Sequence, residues 1–210
     1  MNLLLAAALG YLLGAIPFGL LIGRATRGID IRQYGSHRTG ATNALRTLGT
    51  RAAALVFVLD VAKGVAAVLL ANALFGGGAL GEWAGAVAGF AAIVGHNWSV
   101  FIGFTGGRGV ATSSGGLGAM SIWTILILAP IVVGIIWRTR FVSLGSISGG
   151  LLAPVITAVL WAFGAATVPA IVYALASGLL VTAAHADNIG RLRAGTERKL
   201  GQKEAVEPRG

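Results

Sequence analysis

An all-α integral membrane protein is the fold class this sequence predicts, and three observations predict it. Of its 210 residues, 56% are hydrophobic and only 11% are charged, with a mean hydropathy of +0.82; a soluble domain carries roughly 25% charge. The apolar residues gather into runs near the roughly 20 residues that a helix needs to cross a bilayer. The cations gather between those runs rather than within them, so the formal charge of +9 reads first as topology. There is no cysteine, which removes disulfides, thiolate nucleophiles and thiolate metal ligands together.

Taken in order, the candidate spans are Leu3–Ile22, Ala52–Phe75, Trp83–Phe104, Leu117–Trp137, Leu144–Phe163 and Val168–Ala184. No basic segment precedes the first, and Pro17-Phe18-Gly19 runs on apolar to Ile22 instead of ending at a small-residue cleavage site; it reads as a retained span, not a signal peptide. Arg24, Arg27, Arg32, Arg38, Arg46 and Arg51 follow the first span, and Arg191, Arg193, Arg198, Lys199, Lys203 and Arg209 follow the last. Only Glu82 marks the link between the second and third. The positive-inside rule then places the N-terminus outside and both basic clusters in the cytoplasm, which requires an odd number of crossings.

Residues 109–137 resolve the parity. Arg108 precedes them and Arg138 and Arg140 follow, so both flanks belong to the cytoplasm, yet the stretch is too short for two full spans. Short helices broken around Gly115-Gly116-Leu117-Gly118 or at Pro130 would form a shallow hairpin, which is acceptable where the backbone is buried in protein or lines a wet cavity. The expectation is about seven transmembrane helices, two of them short; five full spans with a re-entrant loop is the alternative. Residues 1–199 form one domain, and 200–210 a basic tail expected to be disordered. Gly85, Gly89, Gly164 and Gly178 read as positions where helices pack closely.

Three islands are too polar and too rich in glycine to be plain loops: Tyr34 through Arg46, Gly95 through Thr112, and His185 through Glu197. On the topology above all three meet at the cytoplasmic face. Their chemistry suits anions. Glycine lets backbone N–H groups close on an oxyanion, a helix N-terminus adds a favourable dipole, and arginine offers a fork matched to phosphate. Gly106-Gly107-Arg108-Gly109 has this logic but is no Walker loop, since no Lys-Ser/Thr follows.

Simpler roles cover other polar residues. Arg24, Arg27 and Arg51 suffice as positive-inside anchors, and the tail cations as headgroup contacts. Asp60 and Lys63, spaced i, i+3 within a span, suffice as a mutual ion pair. His96 fits an interfacial structural histidine as well as a ligand, whereas His185, ending the last span beside Asn188, is better placed for function. No cluster has metal-ligand spacing, no Gly-x-Ser-x-Gly elbow occurs, and Asp187 and Glu197 are the acids nearest an island. A transporter would need a polar path to the outer face, whose links carry little beyond Glu82. A passive scaffold would need only the basic clusters. A nucleic-acid role is disfavoured because the cations are split between loops without aromatic platforms.

The islands together resemble the three signature motifs of the bacterial acyl-phosphate:glycerol-3-phosphate acyltransferases, the PlsY family. Gly35, Ser36, Gly40, Ala41, Thr42, Asn43 and Arg46 match the first. Gly95-His96, Phe101 and Gly106 through Thr112 resemble the second, and His185, Asn188, Arg191, Leu192, Gly195 and Glu197 the third. Asp60-Val61-Ala62-Lys63-Gly64 resembles a further family segment, so the likeness covers essentially the whole chain. Two departures stand out: His37-Arg38 where the family usually has Gly-Asn, and Arg108 where it usually has Lys.

The resemblance implies transfer of a fatty acyl group from acyl phosphate to the sn-1 hydroxyl of glycerol 3-phosphate, giving lysophosphatidate and phosphate without a cofactor or metal. It implies catalytic roles for Ser36, Asn43, Arg46, His185 and Asn188. It implies substrate or phosphate binding by Gly35, Thr42, Gly106, Gly107, Arg108, Ser143 and Glu197, with Ser143 on glycerol 3-phosphate. Membrane lipids, and the enzyme that makes the acyl phosphate, are the implied partners, in a bacterial inner membrane. The His-x4-Asp motif of other glycerophosphate acyltransferases has no residues here: the positions five after His37, His96 and His185 are Thr42, Phe101 and Gly190.

Overall fold

The computed structural model describes residues 2–76 and 79–202. Among the described residues all regular structure is helical, apart from one isolated bridge between Ser99 and Thr105. The helices are α1 (Asn2–Ala15), α2 (Phe18–Arg27), α3 (Ala41–Thr47), α4 (Thr50–Phe75), α5 (Ala79–Asn97), α6 (Val110–Met120), α7 (Ile122–Thr139), α8 (Val142–Ala162), α9 (Val168–Ala184) and α10 (Ala186–Arg193). Single 3-10 turns lie at Ile31–Gln33 and Val100–Ile102. Among the described residues, four stretches are long and apolar enough to cross a membrane: α1 with α2, α4, α7 and α8. The pair α9 and α10, bent by 58°, makes a fifth if it is taken as one span. Leu12, Leu70, Trp137, Val155 and Leu179 stand exposed on the outer faces, a covering suited to lipid and unsuited to water.

Pro17 interrupts the first stretch, because proline has no N–H for the helical ladder. The carbonyls released at the break find partners elsewhere in the fold. Ser99 Oγ donates to Ala15 O at 2.6 Å, and Lys63 Nζ donates to Ile16 O at 3.0 Å. Membrane proteins must satisfy every such group internally, so the break in α1–α2 is tied to α4 and to the loop after α5. That loop is where the third apolar run ends early: α5 stops at Asn97, and Trp98 through Phe104 turn around the buried Ser99.

Without a hydrophobic drive between helices in lipid, close packing comes from small residues. Along α1, a Cβ at Gly10 would strike the backbone of Ala88, and one at Gly14 the backbone of Ala92. Gly85 and Gly89 make room in the same way for Asn72, Val68 and Tyr173, and Gly178 for Gly150. Gly164 does not: its φ is +73° and no neighbour lies within 4 Å, so it serves the turn after α8 and not helix packing.

The expected break in residues 109–137 lies elsewhere. α6 runs unbroken through Gly115-Gly116-Leu117-Gly118, and Pro130 sits inside α7. The interruption is at Ser121, whose Oγ is 2.9 Å from Thr124 Oγ1, itself 3.1 Å from Thr157 Oγ1 on α8. Gly115 faces the backbone of Val61 and Gly116 faces the Tyr173 ring, so these glycines seat α6 between α4 and α9 and do not break it. Tyr173, almost wholly buried, donates its hydroxyl to Ser113 O at 3.0 Å.

At Lys199 and Leu200 the chain folds back on the turn between α7 and α8. Leu200 N donates to Arg140 O at 2.7 Å, Arg140 Nη2 returns a bond to Leu200 O at 2.8 Å, and the Lys199 ammonium lies 5.8 Å from the Phe141 ring centre. The rest of the expected tail, 203–210, lies outside the described residues.

The small-residue seam carries a testable consequence. Gly14→Leu should destabilise the protein by about 3 kcal/mol, the top of the usual overpacking range, because backbone blocks the new side chain. Gly134→Leu, where a Cβ meets nothing within 4 Å, should leave the melting temperature in detergent unchanged. Equal melting of both variants would contradict the packing role of Gly14.

Candidate active site

The first island is a turn wrapped around one side chain. Asn43 is 1% exposed. Its Nδ2 donates to Ile31 O, Tyr34 O and Arg38 O at 3.0, 3.1 and 2.8 Å, and its Oδ1 accepts from Ser36 N at 2.9 Å. Gly35 has φ +62°, and a Cβ there would collide with the Asn43 carboxamide, so glycine is required at that position. The polar groups of Asn43 are thus spent on the backbone that presents Ser36. Arg32, paired with Asp30 at 2.7 Å, also donates to Ile102 O and Thr105 Oγ1 and joins this turn to the second island.

In the second island, a Cβ on Gly106 would strike His96 O and one on Gly107 would strike the His96 ring; Gly107 N donates to His96 O at 3.0 Å. These glycines fold the loop onto the end of α5. Arg108 then reaches across to the third island, with Nε donating to Ala184 O at 3.1 Å and Nη2 to Asp187 Oδ2 at 2.7 Å.

The third island closes on Glu197, whose side chain is 5% exposed. Its Oε1 accepts from Ser143 Oγ and Asn188 Nδ2, both at 2.7 Å, and its Oε2 from Arg191 Nε at 2.8 Å. Burial pushes this carboxyl upward, but the three donors outweigh it and hold Glu197 below the usual carboxylate range. Asp187 shows the same balance: burial raises it, and Arg108 and Arg191 bring it down. His185, just past α9, is pushed down to about 4, first by burial, so its ring is neutral near pH 7. Its Nδ1 lies 2.7 Å from Val181 O, an acceptor, so Nδ1 carries the hydrogen and Nε2 keeps a lone pair.

The three islands border one cavity of about 850 Å3. Gly35, Ser36, Thr42, Asn43, Arg46, Arg108, Ser143, His185, Asn188 and Glu197 line it, so ten of the predicted site residues come together. Gly106 and Gly107 are not among its lining residues and lie instead against His96. Five arginines (Arg38, Arg46, Arg108, Arg191 and Arg198) face three carboxylates (Asp60, Asp187 and Glu197), leaving this end of the cavity cationic. The remaining wall is apolar: Phe57 and Val61 of α4 with Ile125, Leu128, Val132 and Ile136 of α7.

Several of these residues escaped sequence reasoning. Arg191 stands in the third island and its motif without a role of its own, and Arg198 among the cations that follow the last span, yet both line the cavity. For Arg191 a signal existed: it stands four residues after Asp187 on α10, a spacing that pairs charges, and the two meet at 3.1 Å. Asp60 pairs with Lys63 at 2.8 Å as the spacing suggests, but His96 joins them, with Nδ1 2.9 Å from Lys63 Nζ. The α7 wall left no trace in a helix that is apolar all round.

Residues 4–195 match the family model described as glycerol-3-phosphate acyltransferase. A relative in Dehalococcoides mccartyi, glycerol-3-phosphate acyltransferase 3, is 46% identical over 96% of this chain and 97% of its own. A glycerol-3-phosphate acyltransferase of Synechococcus sp. (strain JA-3-3Ab) is 47% identical over 99% and 98%. Among solved structures, the fold resembles PlsY (YgiH), an integral membrane glycerol 3-phosphate acyltransferase. Its glycerol 3-phosphate form matches with TM-score 0.84 and 36% identity over 96% of each chain. Its lysophosphatidic acid form gives 0.83 and 36% over 96% of this chain and 97% of that one. Full-length matches of this kind, on a cavity built from the three islands, settle membership: the chain belongs to the glycerol-3-phosphate acyltransferase family of integral membrane proteins.

Proposed function

We propose that the protein transfers a fatty acyl group from acyl phosphate to the sn-1 hydroxyl of glycerol 3-phosphate, releasing lysophosphatidate and inorganic phosphate as the first step of phospholipid synthesis. The observation that carries this reading is a single cavity with a cationic, hydrogen-bonding end and an apolar wall. Such a shape suits a phosphate joined to a long hydrocarbon. The solved relatives, described in a glycerol 3-phosphate form and a lysophosphatidic acid form, support the acceptor and the product.

An acyl phosphate is a mixed anhydride with a good leaving group, so the protein needs no nucleophile. The acceptor oxygen attacks the carbonyl carbon, the C–O bond to phosphate breaks, and the hydroxyl proton ends on the released phosphate. The protein's task is to hold two phosphates side by side, align hydroxyl and carbonyl, and exclude water. Arg46, Arg108 and Ser36 neutralise and hold phosphate, with Gly35 and Thr42 shaping the turn beside them. Asn43 orients Ser36 through the backbone. Ser143, Asn188 and Glu197, already joined to one another, hold the glycerol end. His185, neutral and with Nε2 free to accept, takes up the hydroxyl proton or hands it to the substrate's phosphate.

The reaction faces the cytoplasm of a bacterial plasma membrane in this reading, with about seven membrane helices, the short α6 among them. The N-terminus lies outside and α10 lies at the inner surface. The native chain has no cysteine, so introduced ones report sidedness cleanly. A membrane-impermeant maleimide added to intact cells should label Glu82→Cys and leave Arg193→Cys untouched until the membrane is opened. The reverse pattern would overturn the orientation.

The reaction itself is tested with purified protein, acyl phosphate or acyl-CoA, and glycerol 3-phosphate. Acyl phosphate alone should yield lysophosphatidate, and Arg46→Ala should slow turnover about 100-fold or more, the scale of losing a donor that stabilises developing charge. Absence of product with acyl phosphates of every reasonable length, or wild-type turnover by Arg46→Ala, would sink the proposal.

A further inference from the structure

One buried cluster is left without a role in the reaction above. Asp60 and Lys63 on α4 and His96 at the end of α5 are 1%, 5% and 6% exposed, and Asp60 and His96 both border the cavity. Lys63 Nζ meets three acceptors: Ile16 O at 3.0 Å, Asp60 Oδ1 at 2.8 Å and His96 Nδ1 at 2.9 Å. An ammonium has three hydrogens to give and no lone pair. Its third hydrogen therefore goes to Nδ1, which must be the unprotonated nitrogen, and the ring hydrogen sits on Nε2. A charged ring would set an N–H against the ammonium. With Lys63 ionised, this contact makes His96 a neutral Nε2–H tautomer; Asp60 Oδ1, 3.5 Å from the same Nδ1, is the acceptor that an Nδ1–H tautomer would use instead.

That Nε2 lies against Gly107, where a Cβ would overlap it, in the loop that delivers Arg108 to the cavity. The loop is held to the same residue by Gly107 N donating to His96 O. We propose that His96 is an uncharged hydrogen-bond donor, through Nε2, to a phosphate group bound at the Arg108 end of the cavity, with Lys63 as the residue that sets its tautomer. A neutral donor suits this place: it adds a bond to the anion without adding repulsion to the five arginines already lining the site. The phosphate is that of the acyl donor or that of glycerol 3-phosphate, and the inference rests on the proposed reaction for those two candidates.

The test begins with 15N-histidine-labelled protein in nanodiscs near pH 7. The chain has three histidines, so His37→Asn and His185→Asn assign the His96 ring by elimination. The expected spectrum shows His96 neutral with its hydrogen on Nε2, and that resonance moves when inorganic phosphate or glycerol 3-phosphate is added. In parallel, His96→Asn keeps an acceptor for Lys63 but has no N–H at the place of Nε2. It should raise KM for one phosphate substrate roughly 10- to 100-fold, the scale of a lost hydrogen bond to a charged group, with melting unchanged. His96→Gln, which puts an N–H near Nε2, should recover part of that loss. The substrate whose KM rises identifies which phosphate the ring meets. An Nδ1–H tautomer, an Nε2 resonance unmoved by either anion, or wild-type KM values in His96→Asn would each overturn the proposal. Should the wild-type protein make no lysophosphatidate, the reaction is at fault, and the phosphate titration still decides the role of His96.

Discussion

The ammonium of Lys63 is the point on which the arrangement turns. An ionised lysine within a membrane helix is costly unless every hydrogen finds an acceptor. Here the acceptors come from three places: a carbonyl freed by Pro17 in the first helix pair, a carboxylate on the same helix, and a ring at the end of α5. Removing any one would leave a buried charge or a buried carbonyl without its partner. The interruption at Ile16-Pro17 and the ionised side chains of α4 are therefore two halves of one solution, and the second polar loop rests on it through His96.

Above that support, the polar residues of the site fall into two kinds. Asn43 and Gly35, which border the cavity, and Gly106 and Gly107, which do not, shape backbone. Arg46, Arg108, His185 and the cluster around Glu197 line it and carry charge or hydrogen-bonding capacity into it. Arg108 belongs to both, since it bridges the second and third islands through Asp187 and Ala184 O while facing the cavity. The planar guanidinium presents its donors in a fixed fork where a lysine ammonium is a single point charge, which fits its place at this crossing.

Much of this was legible in the sequence, and the exceptions have physical causes. Helical membrane class follows from apolar length alone, and the polar islands stand out because buried polar groups in lipid are rare. Glycine was the hardest residue to read. The same residue type seats a helix at 115 and 116, closes a turn at 164, and yields to a carboxamide at 35. Nothing local distinguishes these, because the deciding neighbour comes from another part of the chain. The joining of His96 to Asp60 and Lys63 depends likewise on α4 meeting α5. Arg198 resembles any tail cation until the strap from Gly195 to Leu200 folds back on Arg140. The apolar wall on α7 is invisible in a helix with no polar face to contrast with it.

The central claim is that one cavity takes both the phosphate and the hydrocarbon of a single substrate. A non-transferable acyl phosphonate with a diazirine at the end of its chain tests this directly, by photolabelling the protein in nanodiscs and mapping the adducts by mass spectrometry. The prediction is labelling on α7 between Ile125 and Ile136 and at Phe57 of α4, the apolar lining residues, suppressed by excess unlabelled acyl phosphate. Adducts confined to helices that do not border the cavity, or labelling that acyl phosphate fails to displace, would contradict it.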